Sequence, residues 1–235
     1  MVKKPVFYTE IAYFLGLFLL AWGTALTVWG DFGLSMVVAP AYIIHVTVSK
    51  YWPWFSFGVA EYAFQAVILI VMVILLRKAR WYYLLSFATA VLYGILLDAG
   101  TSVFHAVLPA TQMEGYRLAA YIVGDLMVCA GVSMMFKTYI PPEAYELFVK
   151  EIGSRTGIKL HIFKTAYDCC SLIIAVGLSY ILLGNLEGIG IGTVVCAFLN
   201  GSLIKGITGL LEKNFEFRDL FAFRVKLEGS EGIYE

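Results

Sequence analysis

The chain has 235 residues, 60% of them hydrophobic and 14% charged, and its 17 Lys+Arg balance 17 Asp+Glu. A soluble domain carries about 45–50% apolar and about 25% charged residues, so this composition, with a mean hydropathy of +0.81, excludes a soluble globular enzyme and a disordered tail. No net basic charge exists to hold phosphate backbones, which excludes nucleic acid as a partner and leaves a multi-spanning membrane protein in a lipid bilayer.

A spanning helix needs about 20 mostly apolar residues. In chain order the predicted spans are Ile11–Gly30, Phe57–Leu76, Trp81–Phe104, Leu118–Phe136, Ile162–Leu183 and Gly190–Leu211. Lys3 and Lys4 before the first run imitate a signal peptide, but Glu10 interrupts and the run continues too long, so it reads as a first span. Between the first two spans, Gly33–Ser49 is uncharged but short, and carries Pro40 and His45. If it crosses, there are seven spans; if not, six.

Basic residues decide, because Lys and Arg of short loops collect on the cytoplasmic side. With six spans and a cytoplasmic N-terminus, the inner positions hold four sets of basic residues. They are Lys3 and Lys4; Arg77, Lys78 and Arg80; Lys137, Lys150, Arg155, Lys159 and Lys164; and Lys213, Arg218, Arg224 and Lys226. Only Lys50 and Arg117 fall outside, and Lys205 lies within the last span. Both termini are then expected on the cytoplasmic side, and Gly33–Ser49 becomes a re-entrant or surface-lying element on the outer side.

A shift of 107–108 residues lines up two halves. Ala12, Tyr13, Gly16 and Gly23 match Ala120, Tyr121, Gly124 and Gly131; Glu61 falls on Asp168; Ser86, Ala90, Leu92 and Gly94 meet Thr193, Ala197, Leu199 and Gly201. Gly33–Ser49 maps onto Ile140–Thr156, which is too charged to span and reads as a short amphipathic interfacial helix after Pro141-Pro142, with Glu143 in its first turn. The predicted fold is all-α, with six transmembrane helices as two inverted three-helix repeats, each with a short re-entrant or interfacial element. The first repeat is 1–109 with its short element 33–49, the second 110–212 with its helix 140–156, and 213–235 form a cytoplasmic tail. Inverted repeats of odd span number recur in transporters, with sites near the midplane at the repeat interface.

Ionisable side chains inside spans are costly, which makes Glu61, Asp98, Asp125, Asp168 and Lys205 candidate binding residues, together with Asn200. Four of the five charged positions are acidic, favouring a cation, a proton or an amine. Asp98 and Lys205 occupy corresponding positions with opposite charge, and Asp98 and Asp125 are the deeper acids. Glu61 and Asp168 lie early in corresponding helices, like paired gates, although a carboxylate there can also cap a helix. Lys164 is placed four residues before Asp168 to pair with it.

Gly16, Gly23, Gly124, Gly131, Gly94 and Gly201 supply small surfaces for close helix packing, and such surfaces also allow a homodimer. Gly188, Gly190 and Gly192 open the last span, either as a tight turn or as backbone N–H groups offered to an anion. His45, His105 and His161 have no ligand spacing, and the four cysteines lie in apolar stretches without a zinc or redox pattern, so neither a metal nor a cofactor is expected. No nucleophile with a matching base is present, so an enzyme is not expected.

These motifs resemble the YczE/YyaS/YitT family of bacterial integral membrane proteins. The similar parts are Gly33-Leu34-Ser35, Pro141-Pro142-Glu143-Ala144-Tyr145-Glu146, Arg155-Thr156-Gly157, Lys164 with Asp168, and Gly190-Ile191-Gly192-Thr193. The resemblance implies a bacterial inner-membrane protein and brings no substrate with it. The functional expectation is therefore a small permease for a cationic or proton-coupled solute. The alternative is a membrane scaffold or regulator acting through 140–156 and the tail.

Overall fold

In the computed structural model, residues 4–78, 80–108 and 113–220 are described. Eight helices follow in order, flanked by two three-residue strands: β1 (Val6–Tyr8), α1 (Thr9–Gly30), α2 (Ala39–Val48), α3 (Phe57–Leu76), α4 (Tyr82–Val107), α5 (Glu114–Met135), α6 (Ala144–Thr156), α7 (Leu160–Leu183), α8 (Ile191–Asn214) and β2 (Glu216–Arg218). Six of them, α1, α3, α4, α5, α7 and α8, are long and apolar enough to cross a bilayer. They coincide with the six predicted spans to within a few residues.

The seventh apolar segment does not qualify. α2 has 10 residues, which at 1.5 Å per residue reach about half of a hydrocarbon core about 30 Å thick. Pro40 fits within its first turn, where a missing N–H is no loss.

The long helices carry large apolar side chains outward, among them Ile74, Leu84, Ile95, Ile173, Ile181 and Phe198. That surface suits acyl chains rather than water. α1 is the most buried of the six and α7 the least. α1 owes this to α5, against which it packs antiparallel and backbone to backbone. A Cβ on Gly23 would stand 2.6 Å from the Gly124 carbonyl, and one on Gly131 would stand 2.5 Å from the Gly16 carbonyl. Only glycine permits that approach. The glycines expected to serve helix packing are used here inside one chain.

The rest of the packing is reciprocal between the halves. α3 packs on α4 and α7 on α8; α1 meets α4 and α5 meets α8; α2 lies against α7 and α6 against α3. The close contacts correspond too. Gly94 approaches the Gly58 carbonyl between α4 and α3, while Gly201 approaches Thr165 Oγ1 between α8 and α7.

The structure corrects the placement of the charged short element. Pro141 to Leu147 are all buried, and α6 lies between α3 and α7 instead of along a surface. Burial all round its first turn also speaks against a surface-lying amphipathic start. A surface helix was the natural reading of so many charges, but four of its neighbours are themselves polar and receive them.

At the chain ends β1 and β2 pair in parallel, with Val6 opposite Glu216 and Tyr8 opposite Arg218. Residues 221–235, most of the predicted tail, lie outside the described residues.

Candidate functional site

α6 hangs from α4 by its leading prolines. Ser86 Oγ donates to the Pro142 carbonyl at 2.6 Å and Thr89 Oγ1 to the Pro141 carbonyl at 3.1 Å. Proline's fixed φ stiffens this stretch. Glu143 follows as the N-cap, in extended conformation with φ −62° and ψ 166°. The turn it starts sends Glu143, Tyr145 and Glu146 into the middle of the protein.

α3 meets them with Glu61 and Gln65, four residues apart and both fully buried. Gln65 Nε2 donates to Glu143 Oε2 at 2.6 Å, and its Oε1 accepts from the Ala144 backbone N–H at 2.9 Å. One amide thus holds both the side chain and the backbone of the α6 start. The Tyr145 hydroxyl donates to Glu61 Oε2 at 3.0 Å.

On the other side α7 supplies Lys164 and Asp168. Lys164 Nζ lies 2.9 Å from Asp168 Oδ1, the expected pairing across one helical turn, and 3.5 Å from Glu146 Oε1. α8 adds Asn200, whose Nδ2 donates to Asp125 Oδ1 at 2.9 Å. Cys196 Sγ donates to the same oxygen at 3.2 Å.

These groups surround a small cavity of about 20 Å³, room for one water-sized species. Glu143, Glu146, Lys164, Asp168 and Asn200 line it from the second half of the chain, and Thr24, Ser35 and Tyr93 from the first. Three buried carboxyl groups (Glu143, Glu146, Asp168) and one ammonium line it, and a fourth buried carboxyl, Glu61, lies behind Tyr145. Uncompensated buried charge costs several kcal/mol per ion, so the arrangement calls for further positive charge, as protons or as a bound cation. Several oxygens are buried without any hydrogen-bond partner among the described residues: Glu61 Oε1, Glu146 Oε2, Asp168 Oδ2 and Asn200 Oδ1.

Of the residues singled out in the sequence, Asp168 and Asn200 line this cavity, Glu61 lies one hydrogen bond behind it through Tyr145, and Asp125 lies behind Asn200. Asp98 is elsewhere. Its Oδ1 accepts from the Gly58 N–H at 2.8 Å and its Oδ2 from Ser56 Oγ at 2.6 Å, so it caps α3 from α4. Lys205 is exposed on α8. Sequence reading gave no binding role to Gln65, Tyr145, Glu143, Glu146 or Lys164. The available signal was spacing: Glu61 with Gln65 and Lys164 with Asp168 are four apart, and Glu143 with Glu146 three apart, each pair on one helical face.

The glycine run before α8 serves close approach rather than a ligand. The Leu34 N–H donates to the Gly188 carbonyl at 2.8 Å and the Gly192 N–H to the Phe32 carbonyl at 3.0 Å. Gly33, with φ +109°, faces Gly190 so closely that a Cβ would lie 2.5 Å from its nitrogen. Among the described residues no group of three or more His, Cys, Asp or Glu is arranged to hold a metal ion.

Comparison with known proteins places these features in a family. The model for the Family of unknown function (DUF6198) matches residues 7–209, a stretch that contains the whole site. The chain is similar to the Uncharacterized membrane protein YczE of Bacillus subtilis (strain 168), with 22% identity over 204 residues that cover 87% of each chain. No solved structure matches.

Proposed function

Since this chain belongs to the Family of unknown function (DUF6198), as a YczE-like membrane protein, its activity has to be argued from its own site, and we propose that it is a carrier for a small cation or a proton-coupled solute. The observation that carries this reading is the buried cavity lined by one ammonium and three carboxyl groups, with Glu61 a hydrogen bond behind it.

The cavity's position supports it. Positions related by the shift of 107–108 residues line it from both halves: Leu20 and Val128, Ser35 and Glu143, Val38 and Glu146, Tyr93 and Asn200. The reciprocal packing of α1 with α5, and of α2 and α6 with α7 and α3, has the same sense. In our reading these are two inverted three-span repeats, with α2 and α6 as their short elements and a binding site on the pseudo-two-fold axis between them. The membrane is a bacterial inner membrane with both chain ends cytoplasmic. Support for that orientation comes from the distribution of Lys and Arg and from the pairing of β1 with β2. A scaffold acting through 140–156 has less support, because the start of α6 offers no free surface.

Proteoliposomes test the proposal. With an imposed pH gradient, uptake or counterflow is expected for at least one member of a panel of alkali cations, ammonium and small amines. Glu146→Gln should abolish it. No flux across the panel at any gradient overturns the carrier reading.

A further inference from the structure

Two kinds of acid lie in and just behind the cavity. Glu61 and Glu143 each accept from a neutral donor, the Tyr145 hydroxyl and the Gln65 amide. Glu146 and Asp168 have no such donor. They share Lys164, whose ion pairs among the described residues are with Glu146 Oε1 and Asp168 Oδ1. Among the described residues Glu146 Oε2 and Asp168 Oδ2 have no hydrogen-bond partner, and neither has Asn200 Oδ1. All three residues line the cavity, with 3%, 1% and 4% of their surface exposed. A buried polar atom left unmatched costs about 1–3 kcal/mol, more when it is charged, so three together mark a missing partner.

We propose that this cavity binds one dehydrated monovalent cation through Glu146, Asp168 and Asn200, and that the Lys164 ammonium is a tethered competitor for the same two carboxylates.

Each element of the cation's identity follows from the site. The free atoms are all hard oxygen acceptors, so the ligand is positive and accepts oxygen ligands. A volume of about 20 Å³ admits an ion of roughly water size and rejects an amino acid or a sugar. Divalent cations want six or more oxygens and a charge that Lys164 has already half supplied. Lys164 fills the role of a resident cation when the site is empty, which keeps the two carboxylates apart in charge. A free ion must displace it or share the acids with it. The inference rests on the carrier reading for its biological sense, but binding is measured without transport.

The purified full-length chain in detergent is melted in Li⁺, Na⁺, K⁺ or ammonium chloride, with ionic strength held constant by N-methyl-D-glucamine chloride. A saturable rise in Tm is expected for at least one of the four ions. Glu146→Gln, Asp168→Asn and Asn200→Ala should each abolish that rise. Lys164→Met removes the competitor and should lower the half-saturating concentration by about tenfold or more. If one of these variants does not fold, the remaining ones carry the test. A wild-type Tm indifferent to all four ions, a Glu146→Gln protein with the full rise, or an unchanged half-saturation in Lys164→Met overturns the proposal. So does a rise seen only with Mg²⁺ or Ca²⁺. Binding without flux in proteoliposomes overturns the carrier reading and leaves this site standing. Flux with no cation-dependent Tm does the reverse.

Discussion

Glu143 shows how one residue's environment gives a measurable signature. Burial pushes its carboxyl well above the usual carboxylate range, and the neighbouring Glu146 and Glu61 push the same way, against the hydrogen bond from Gln65 and the charge of Lys164. The folded chain therefore keeps a proton that the unfolded chain releases near its ordinary value of 4.5. Below that pH the group costs the fold nothing. As pH rises above it, the unfolded state gains from ionising while the folded state does not, so stability falls until the folded value is reached. Glu143→Gln keeps the proton-like donor and loses the titration. Its Tm should decline less than wild type as pH rises above 4.5; equal slopes would remove Glu143 from this role. Of these residues, Asp168 could be picked out from sequence because a charge in an apolar helix stands out. Gln65 could not, since an amide in a span is unremarkable until its two partners on α6 are seen. Asp98 stood out equally and proved to be a cap, because the sequence does not say that Ser56 and Gly58 lie beside it.

Among the elements, the six long helices were legible from hydropathy alone, and their ends fell close to the expected positions because left-handed caps such as Asp31, Arg77 and Gly184 stop them locally. α6 was not legible. Charge normally means water, and only tertiary packing reveals that Glu143, Glu146 and Glu151 are buried. Partners were available for all three, including Tyr82 for Glu151. The glycines of α1 and α7 are a sharper case of context deciding meaning. A Cβ at Gly23 would press on the Gly124 carbonyl, whereas nothing lies within 4 Å of one at Gly177. Gly23→Val should force α1 and α5 apart and cost about 1–3 kcal/mol or more, read as a clear fall in Tm in detergent. Gly177→Ala should leave Tm unchanged or raise it, since alanine favours a helix over glycine by about 1 kcal/mol. A tolerated Gly23→Val would mean that the α1–α5 contact is looser than described.

For the whole molecule, an even number of spans and paired ends make one statement about topology. β1 and β2 lie side by side, so the two ends of the described chain emerge on one face. With basic residues drawn to the cytoplasm, green fluorescent protein fused after residue 235 should fluoresce, and alkaline phosphatase at the same place should stay inactive. Active phosphatase would reverse the orientation. The cavity was not legible at this scale, because it is built from both halves at once and no stretch of sequence contains it.

The clasp at the ends also orders events in time. Glu10, near the start of α1, is 7% exposed, and its carboxylate accepts from the Tyr139 hydroxyl and the Leu220 backbone N–H. Those partners lie 129 and 210 residues further along the chain. A ribosome delivers them long after α1 has left it. This contact of α1 is thus completed only once the chain beyond the last span has been made, and a chain that stops before Leu220 lacks it.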